Sequence, residues 1–224
     1  NAMMATLMGA AISDGLDNGQ VVSGVGGQYN FVAQAFALDG ARSMLTLEST
    51  RGSGKTSASN IRWSYGHTTI PRHLRDVIIS EYGVADLWGK SDADVIAAML
   101  CVADSRFQAE LMRQAKDTGK LPKTYEIPAA HRENFPDRIA AALKPSRDAG
   151  LLPAFPFGSD FTDVERRLIP ALQILKEASA SPLNLLGLAW QGVSSRRDAD
   201  EACLARLQLD RPKSLSDRLY RVLV

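Results

Sequence analysis

The stretch Val21-Val22-Ser23-Gly24-Val25-Gly26-Gly27-Gln28-Tyr29-Asn30-Phe31 constrains the fold most strongly, because its three glycines stand between an apolar step and the start of a helix. The order strand, glycine turn, helix belongs to an α/β sheet. Glycine lets backbone N–H groups approach a ligand with no Cβ in the way, and a helix start adds unpaired donors and the positive end of a dipole. Donors of this kind suit a phosphate or a developing oxyanion. A tight turn whose glycines only permit the backbone path explains the stretch equally well. The dinucleotide fingerprint G-x-G-x-x-G is missing, since the third residue after Gly26 is Tyr29, so nicotinamide or flavin binding is not supported.

Around this stretch, apolar runs alternate with helical spacing. Small and apolar residues over 4–12 suggest a short helix, and turn signals at Asp14-Gly15 and Asn18-Gly19 lead to a strand end at 20–22. Strands are expected over 43–47, 60–64 and 76–80, the last carrying the continuous Val77-Ile78-Ile79 of a strand buried on both faces. Residues 50–59 read as a Gly/Ser loop. Helices are expected over 30–37, after the N-cap Ser91 with Asp94, and after Ser105 with Gln108, with Gly119 as a stop. The expected class is α/β, an open, mostly parallel sheet with flanking helices, followed by a helical C-terminal tail. Beyond Leu121 six prolines from Pro122 to Pro156 punctuate a connector with short helices. Thr162 and Glu165 then form a capping box for a helix that Pro170 should kink or restart. Residues 182–190, 198–209 and 214–224 complete the tail. The division expected is an α/β domain over 3–160 and a helical extension over 161–224, with Asn1-Ala2 read as a scar of tag removal.

The 224 residues are 45% hydrophobic and 23% charged, ordinary for a folded globular chain. Twenty-six lysines and arginines against 25 acids leave a net charge of +1, too little to draw a nucleic acid partner. No apolar run reaches the roughly 18 residues of a membrane helix, and no cleavable leader is recognisable at the start, so a cytoplasmic setting is expected. Cys101 and Cys203 lack partners at metal-ligand spacing and read as reduced thiols. His67 and His73 have no carboxylates at metal spacing and read as structural, and His131 has nothing nearby in sequence to activate it. No metal site is expected. Gly52-Ser53-Gly54-Lys55-Thr56 lacks the leading glycine of a phosphate loop, which has Ser49 in its place. A G-x-S-x-G elbow is absent as well. Glu81 and Asp86 flank a turn just past a buried strand, where ligands of α/β sheets gather, yet acids there serve equally as helix caps.

Three ordered motifs, Gly24 to Phe31, His67-Thr68-Thr69-Ile70-Pro71-Arg72-His73 and Ser80-Glu81-Tyr82-Gly83-Val84-Ala85-Asp86-Leu87-Trp88-Gly89-Lys90-Ser91, together resemble the C-terminal domain of the acetyl-CoA hydrolase/CoA-transferase family over about residues 4–161. The resemblance implies an α/β domain that pairs with an N-terminal domain of similar fold, with acyl-CoA bound between them. In that chemistry a glutamate attacks the thioester, and the resulting enzyme-CoA thioester passes CoA to a carboxylate or to water. It further implies that Gly26 offers an oxyanion-holding backbone N–H, that Gly24 and Gly27 shape the loop, and that Lys55 and Val22 contact CoA. The nucleophilic glutamate of the family lies well upstream of the glycine motif, whereas no glutamate precedes Gly24 here. The nucleophile and the N-terminal domain are therefore expected outside this chain. A module that holds CoA esters without turnover, and an assembly domain whose tail mediates homo-oligomer contacts, are the competing readings.

Overall fold

A computed structural model describes residues 1–179, 181, 184–185, 187–188, 190 and 201–223. The chain forms two compact units, Asn1–Ala149 and Gly150–Val224.

In the first unit, β1 (Met4–Thr6) pairs antiparallel with β2 (Ala11–Ile12) and parallel with β6 (Ile61–Arg62). A second sheet has β7 (Val77–Ser80) at its centre, parallel to β3 (Met44–Thr46) and antiparallel to β8 (Gly83–Asp86). Between them β4 (Thr50–Arg51) and β5 (Ala58–Ser59) form a hairpin closed by a 3-10 turn at Gly54–Thr56. The Ala2 N–H reaches Thr46 O at 2.8 Å, which links the residues before β1 to β3, and the Asn60 N–H reaches Ser49 O at 2.8 Å, which extends the β4–β5 pairing.

The α/β class is as expected, with small sheets whose pairing mixes both directions. The parallel pairs sit where the strand is buried on both faces: every residue of β1 is buried, as are Val77, Ile78 and Ser80 of β7. The antiparallel neighbours arise from tight returns. Gly9, at φ +85°, turns β1 into β2, and an added Cβ there would lie 2.9 Å from Arg75 Cδ. This corrects the helix expected over 4–12: its Ala, Met and Leu residues favour a helix locally, but burial on both faces of a sheet overrides that preference. Likewise residues 50–59 are a hairpin rather than a bare loop, and Val21 makes only an isolated bridge to Gly15.

Helix α1 (Gln28–Ala37) follows the glycine loop. Helix α2 (Asp92–Cys101) starts as expected, with the Ser91 hydroxyl oxygen accepting from the Asp94 N–H and buries Val95, Ile96, Met99 and Leu100 against Ile78 and Leu87. Each such side chain stabilises by about 1.5–3 kcal/mol. Helix α3 (Ser105–Asp117) is capped one residue earlier than expected, by Asp104 instead of Ser105. The Asp104 carboxylate is fully buried and accepts bonds from Arg106 N, Arg106 Nε and Nη2, and the Tyr82 hydroxyl. Gln108, freed from a capping role, turns inward and donates to the carbonyls of Leu100, Ala103 and His131. Gly119, at φ +70°, follows the helix end as a left-handed stop. Helix α4 (Pro136–Asp148) closes the unit.

In the second unit α5 (Asp163–Ala178) opens with the reciprocal Thr162–Glu165 capping box. Of the kink or restart expected at Pro170, the restart does not occur, and α5 is continuous through it. Two further helices span Glu201–Arg206 and Leu215–Leu223. Residues 191–200 and several of 182–190, where parts of the tail were expected, lie outside the described residues. No described helix is long and apolar enough to cross a membrane.

Candidate active site

The glycine loop is held from one side only. Past β2, the Asp14 carbonyl accepts the N–H groups of Val22 (2.9 Å) and Ser23 (3.3 Å), and the Ser23 hydroxyl donates to Ser13 O at 3.1 Å. Asp14 is itself buried, and its Oδ1 accepts from the Thr69 hydroxyl and lies 3.1 Å from His67 Nε2. The bond from Thr69, followed by that from His67, holds the Asp14 carboxyl below the usual carboxylate range. Thr69 Oγ1 also accepts the Ser13 N–H at 2.8 Å. The second motif therefore acts as a clamp behind the loop, and His67 supports Asp14.

Beyond Ser23 the backbone is open. The N–H groups of Gly24, Val25, Gly26 and Gly27 have no hydrogen-bond partner among the described residues. Gly27 occupies the N-cap position of α1 and supplies no side chain to its first turn, whose first bond runs from Phe31 N to Gly27 O. Gly26 has φ +58°, with nothing within 4 Å of where a Cβ would sit. Glycine is the residue that takes this conformation without strain. A cleft of about 550 Å³ opens beside the loop, lined by Gly24, Val25 and Gln28 on one side and by Arg42 and Met44 on the other. Gly26 and Gly27 are exposed and are not among the residues that line it.

The other residues expected at the site are spread more widely. Val22 is partly exposed and its N–H is already spent on Asp14. Lys55 lies on the exposed turn of the β4–β5 hairpin and does not line the loop cleft. A larger cleft of about 810 Å³ opens at the C-terminal ends of β3 and β7, with Thr46, Arg51, Ser80 and Glu81 on its walls. There the Glu81 carboxylate accepts the Ser49 N–H at 2.8 Å and the Ser49 hydroxyl at 2.6 Å. The pairings of Asp14 with Thr69 and of Ser49 with Glu81 carried no signal in the sequence, since they join residues 55 and 32 positions apart. Among the described residues no group of three or more His, Cys, Asp or Glu is placed to hold a metal.

Residues 1–115 match the model of the acetyl-CoA hydrolase/transferase C-terminal domain. The match ends well short of residue 161, the reach suggested by the three motifs. Over 117 residues the chain is 32% identical to the 4-hydroxybutyrate coenzyme A transferase of Clostridium kluyveri, covering 52% of this chain and 27% of that protein. It is 30% identical over 109 residues to a probable butyrate:acetyl-CoA coenzyme A-transferase of Syntrophomonas wolfei, covering 47% and 24%. Among solved structures it resembles RipA from Yersinia pestis at 30% identity and a TM-score of 0.48, covering 53% of this chain and 27% of that one. The chain thus spans about a quarter of the length of these relatives. The match over 1–115, together with an α/β unit that carries all three motifs, establishes that this chain belongs to the acetyl-CoA hydrolase/transferase family through that family's C-terminal domain.

Proposed function

We propose that the chain is the C-terminal part of an acyl-CoA hydrolase or acyl-CoA:carboxylate CoA-transferase, and that its glycine loop holds the thioester oxygen as that oxygen gains charge. The observation that carries this reading is the run of unpartnered N–H groups from Gly24 to Gly27 beside an open cleft. When a carboxylate attacks a thioester, the carbonyl electron pair moves onto oxygen, and donors already aimed at that oxygen lower the barrier by about 3 kcal/mol each. Gly26 is the assigned oxyanion donor, with Gly24 and Gly27 shaping the loop and Val22 and Lys55 as contacts to CoA. The attacking glutamate comes from outside this chain, because no glutamate precedes the loop and Glu81, the acid at the larger cleft, is engaged by Ser49. The attack expels CoA thiolate and leaves an acyl–glutamyl anhydride; the thiolate then takes the glutamyl carbonyl and releases the acyl group as a carboxylate, and the glutamyl-CoA thioester is resolved either by an acceptor carboxylate, which carries CoA away, or by water, which frees CoA and restores the glutamate.

Purified chain mixed with acetyl-CoA should bind the ester in a calorimetric titration while releasing free thiol only at the background rate. Thiol release at an enzymatic rate, abolished by Glu48→Gln or Glu81→Gln, would show that the nucleophile is here and overturn the proposal. Absence of any binding heat would remove the loop's role.

A further inference from the structure

Before α5 the second unit runs through an exposed stretch that nevertheless carries Leu151, Leu152, Phe155, Phe157 and Phe161. From Phe155 to Phe161 this stretch is a built turn. Gly158, at φ +85°, donates its N–H to Phe155 O at 3.2 Å, and the Ser159 hydroxyl oxygen accepts the Phe161 N–H at 3.0 Å. The Phe155 and Phe161 rings meet edge to face with centroids 6.3 Å apart. Phe157, on the same turn, is fully exposed. Asp160 follows, exposed and without an ion pair among the described residues, whereas Asp163 is held by Arg166. Large apolar side chains gathered on one exposed turn mark an interaction surface.

The first unit carries a groove of about 430 Å³ with the opposite chemistry. Leu87 N bonds Asp76 O at 2.7 Å, which brings the segment after β8 back to the start of β7. Trp88 packs there on Phe36 with ring centroids 4.7 Å apart and keeps half of its surface exposed, giving the groove an aromatic wall. Asp92, the acid on the lining, accepts from Arg72 at 3.1 Å and from Arg75 at 3.2 Å. Two guanidiniums on one carboxylate leave that side positive. Lys90, also on the lining, is drawn to Asp86.

An aromatic turn with an unpaired acid and an aromatic groove with spare positive charge are complementary surfaces. We propose that the chain pairs with a second copy of itself, the Phe157 ring entering the groove against the partner's Trp88 and the Asp160 carboxylate meeting the partner's Arg72. Turn and groove are different surfaces, so one docking leaves one of each unfilled, and reciprocal exchange about a two-fold axis fills both. A docked aromatic side chain buries only about 150–250 Å², so the product is a weak, concentration-dependent dimer. The contact uses no glycine-loop residue and stands independently of the oxyanion reading.

Sedimentation equilibrium of the whole chain, from micromolar to near-millimolar concentration, is the test. The mass should rise from one chain toward two, and association should weaken as salt is raised. Phe157→Ser, a change at a fully exposed side chain, should leave the melting temperature of the dilute chain in place and weaken association by about tenfold or more. Asp160→Arg and Arg72→Glu should each weaken it, and the variant carrying both should recover most of the loss, a rescue that misfolding cannot produce. A single-chain mass at every concentration overturns the proposal. So does association that Phe157→Ser leaves unchanged, or a charge-swapped double variant no better than the weaker single one.

Discussion

Replacing Gly26 by alanine isolates the backbone geometry on which the oxyanion proposal rests. At φ +58° an L-residue is disfavoured by about 1–2 kcal/mol, a cost glycine does not carry. A Cβ at this position meets nothing within 4 Å, so no steric clash is added. The loop around it is exposed and its amides are unpartnered, so little tertiary packing forces the alanine to stay strained. The loop should relax instead, and the population with its N–H groups gathered should fall by about five- to thirtyfold, with apparent affinity for an acyl-CoA falling in proportion. Melting temperature should barely move. Gly119→Ala is the matched control: φ is +70°, the space is equally open, and the site is the end of α3. That variant should lower stability and leave binding alone. Calorimetry with a thioether analogue of acetyl-CoA, paired with thermal melts, reads both effects. Equal affinity for wild type and Gly26→Ala would refute the reasoning, as would an equal loss in Gly119→Ala.

Three further outcomes follow from the packing. Thr69→Val removes the acceptor of the Ser13 N–H and a donor to Asp14, and should cost about 1 kcal/mol for the amide alone; loop amide exchange should accelerate before global unfolding does. Burial pushes the Asp104 carboxyl up, but Arg106, its backbone N–H and the Tyr82 hydroxyl outweigh that and leave it below its ordinary value. A depressed folded-state pKa stabilises above the unfolded value near 4 and loses that contribution as pH falls through the folded one, so Asp104→Asn should flatten the acid limb of a melting-temperature profile, and an unchanged limb would contradict the assignment. In the second unit the Glu165 carboxyl is pushed down to about 2 by the Thr162 N–H first and Arg206 next; Thr162→Ala should cost α5 about 1 kcal/mol and expose its first turn to exchange.

What the sequence discloses follows the range of the interaction. Caps act within four residues, so Ser91 before α2, the Thr162–Glu165 box and the stop at Gly119 are legible. Asp104 shows the limit: Ser105 has the right spacing to Gln108, but the local bonds from Arg106 together with a tertiary bond from Tyr82 hold the neighbouring acid at the cap, and Gln108 turns into the core. The strands over 4–12 are hidden because helix-favouring residues obey a sheet buried on both faces. Pro170 is tolerated inside α5 where local rules expect a break. At the candidate site the glycines are visible in sequence, while the Asp14–Thr69–His67 clamp that holds their loop is assembled across more than 50 residues and leaves no local trace.

The claim at the centre is that the amides from Gly24 to Gly27 receive the thioester oxygen. Backbone amide NMR of the whole chain, titrated with a ketone analogue of acetyl-CoA that cannot be cleaved, addresses those protons one by one. Downfield shifts concentrated at Gly26 and its neighbours, with slowed exchange at the same amides, are the predicted result. If these resonances stay fixed while shifts gather elsewhere on the unit, the loop does not hold the substrate and the account fails.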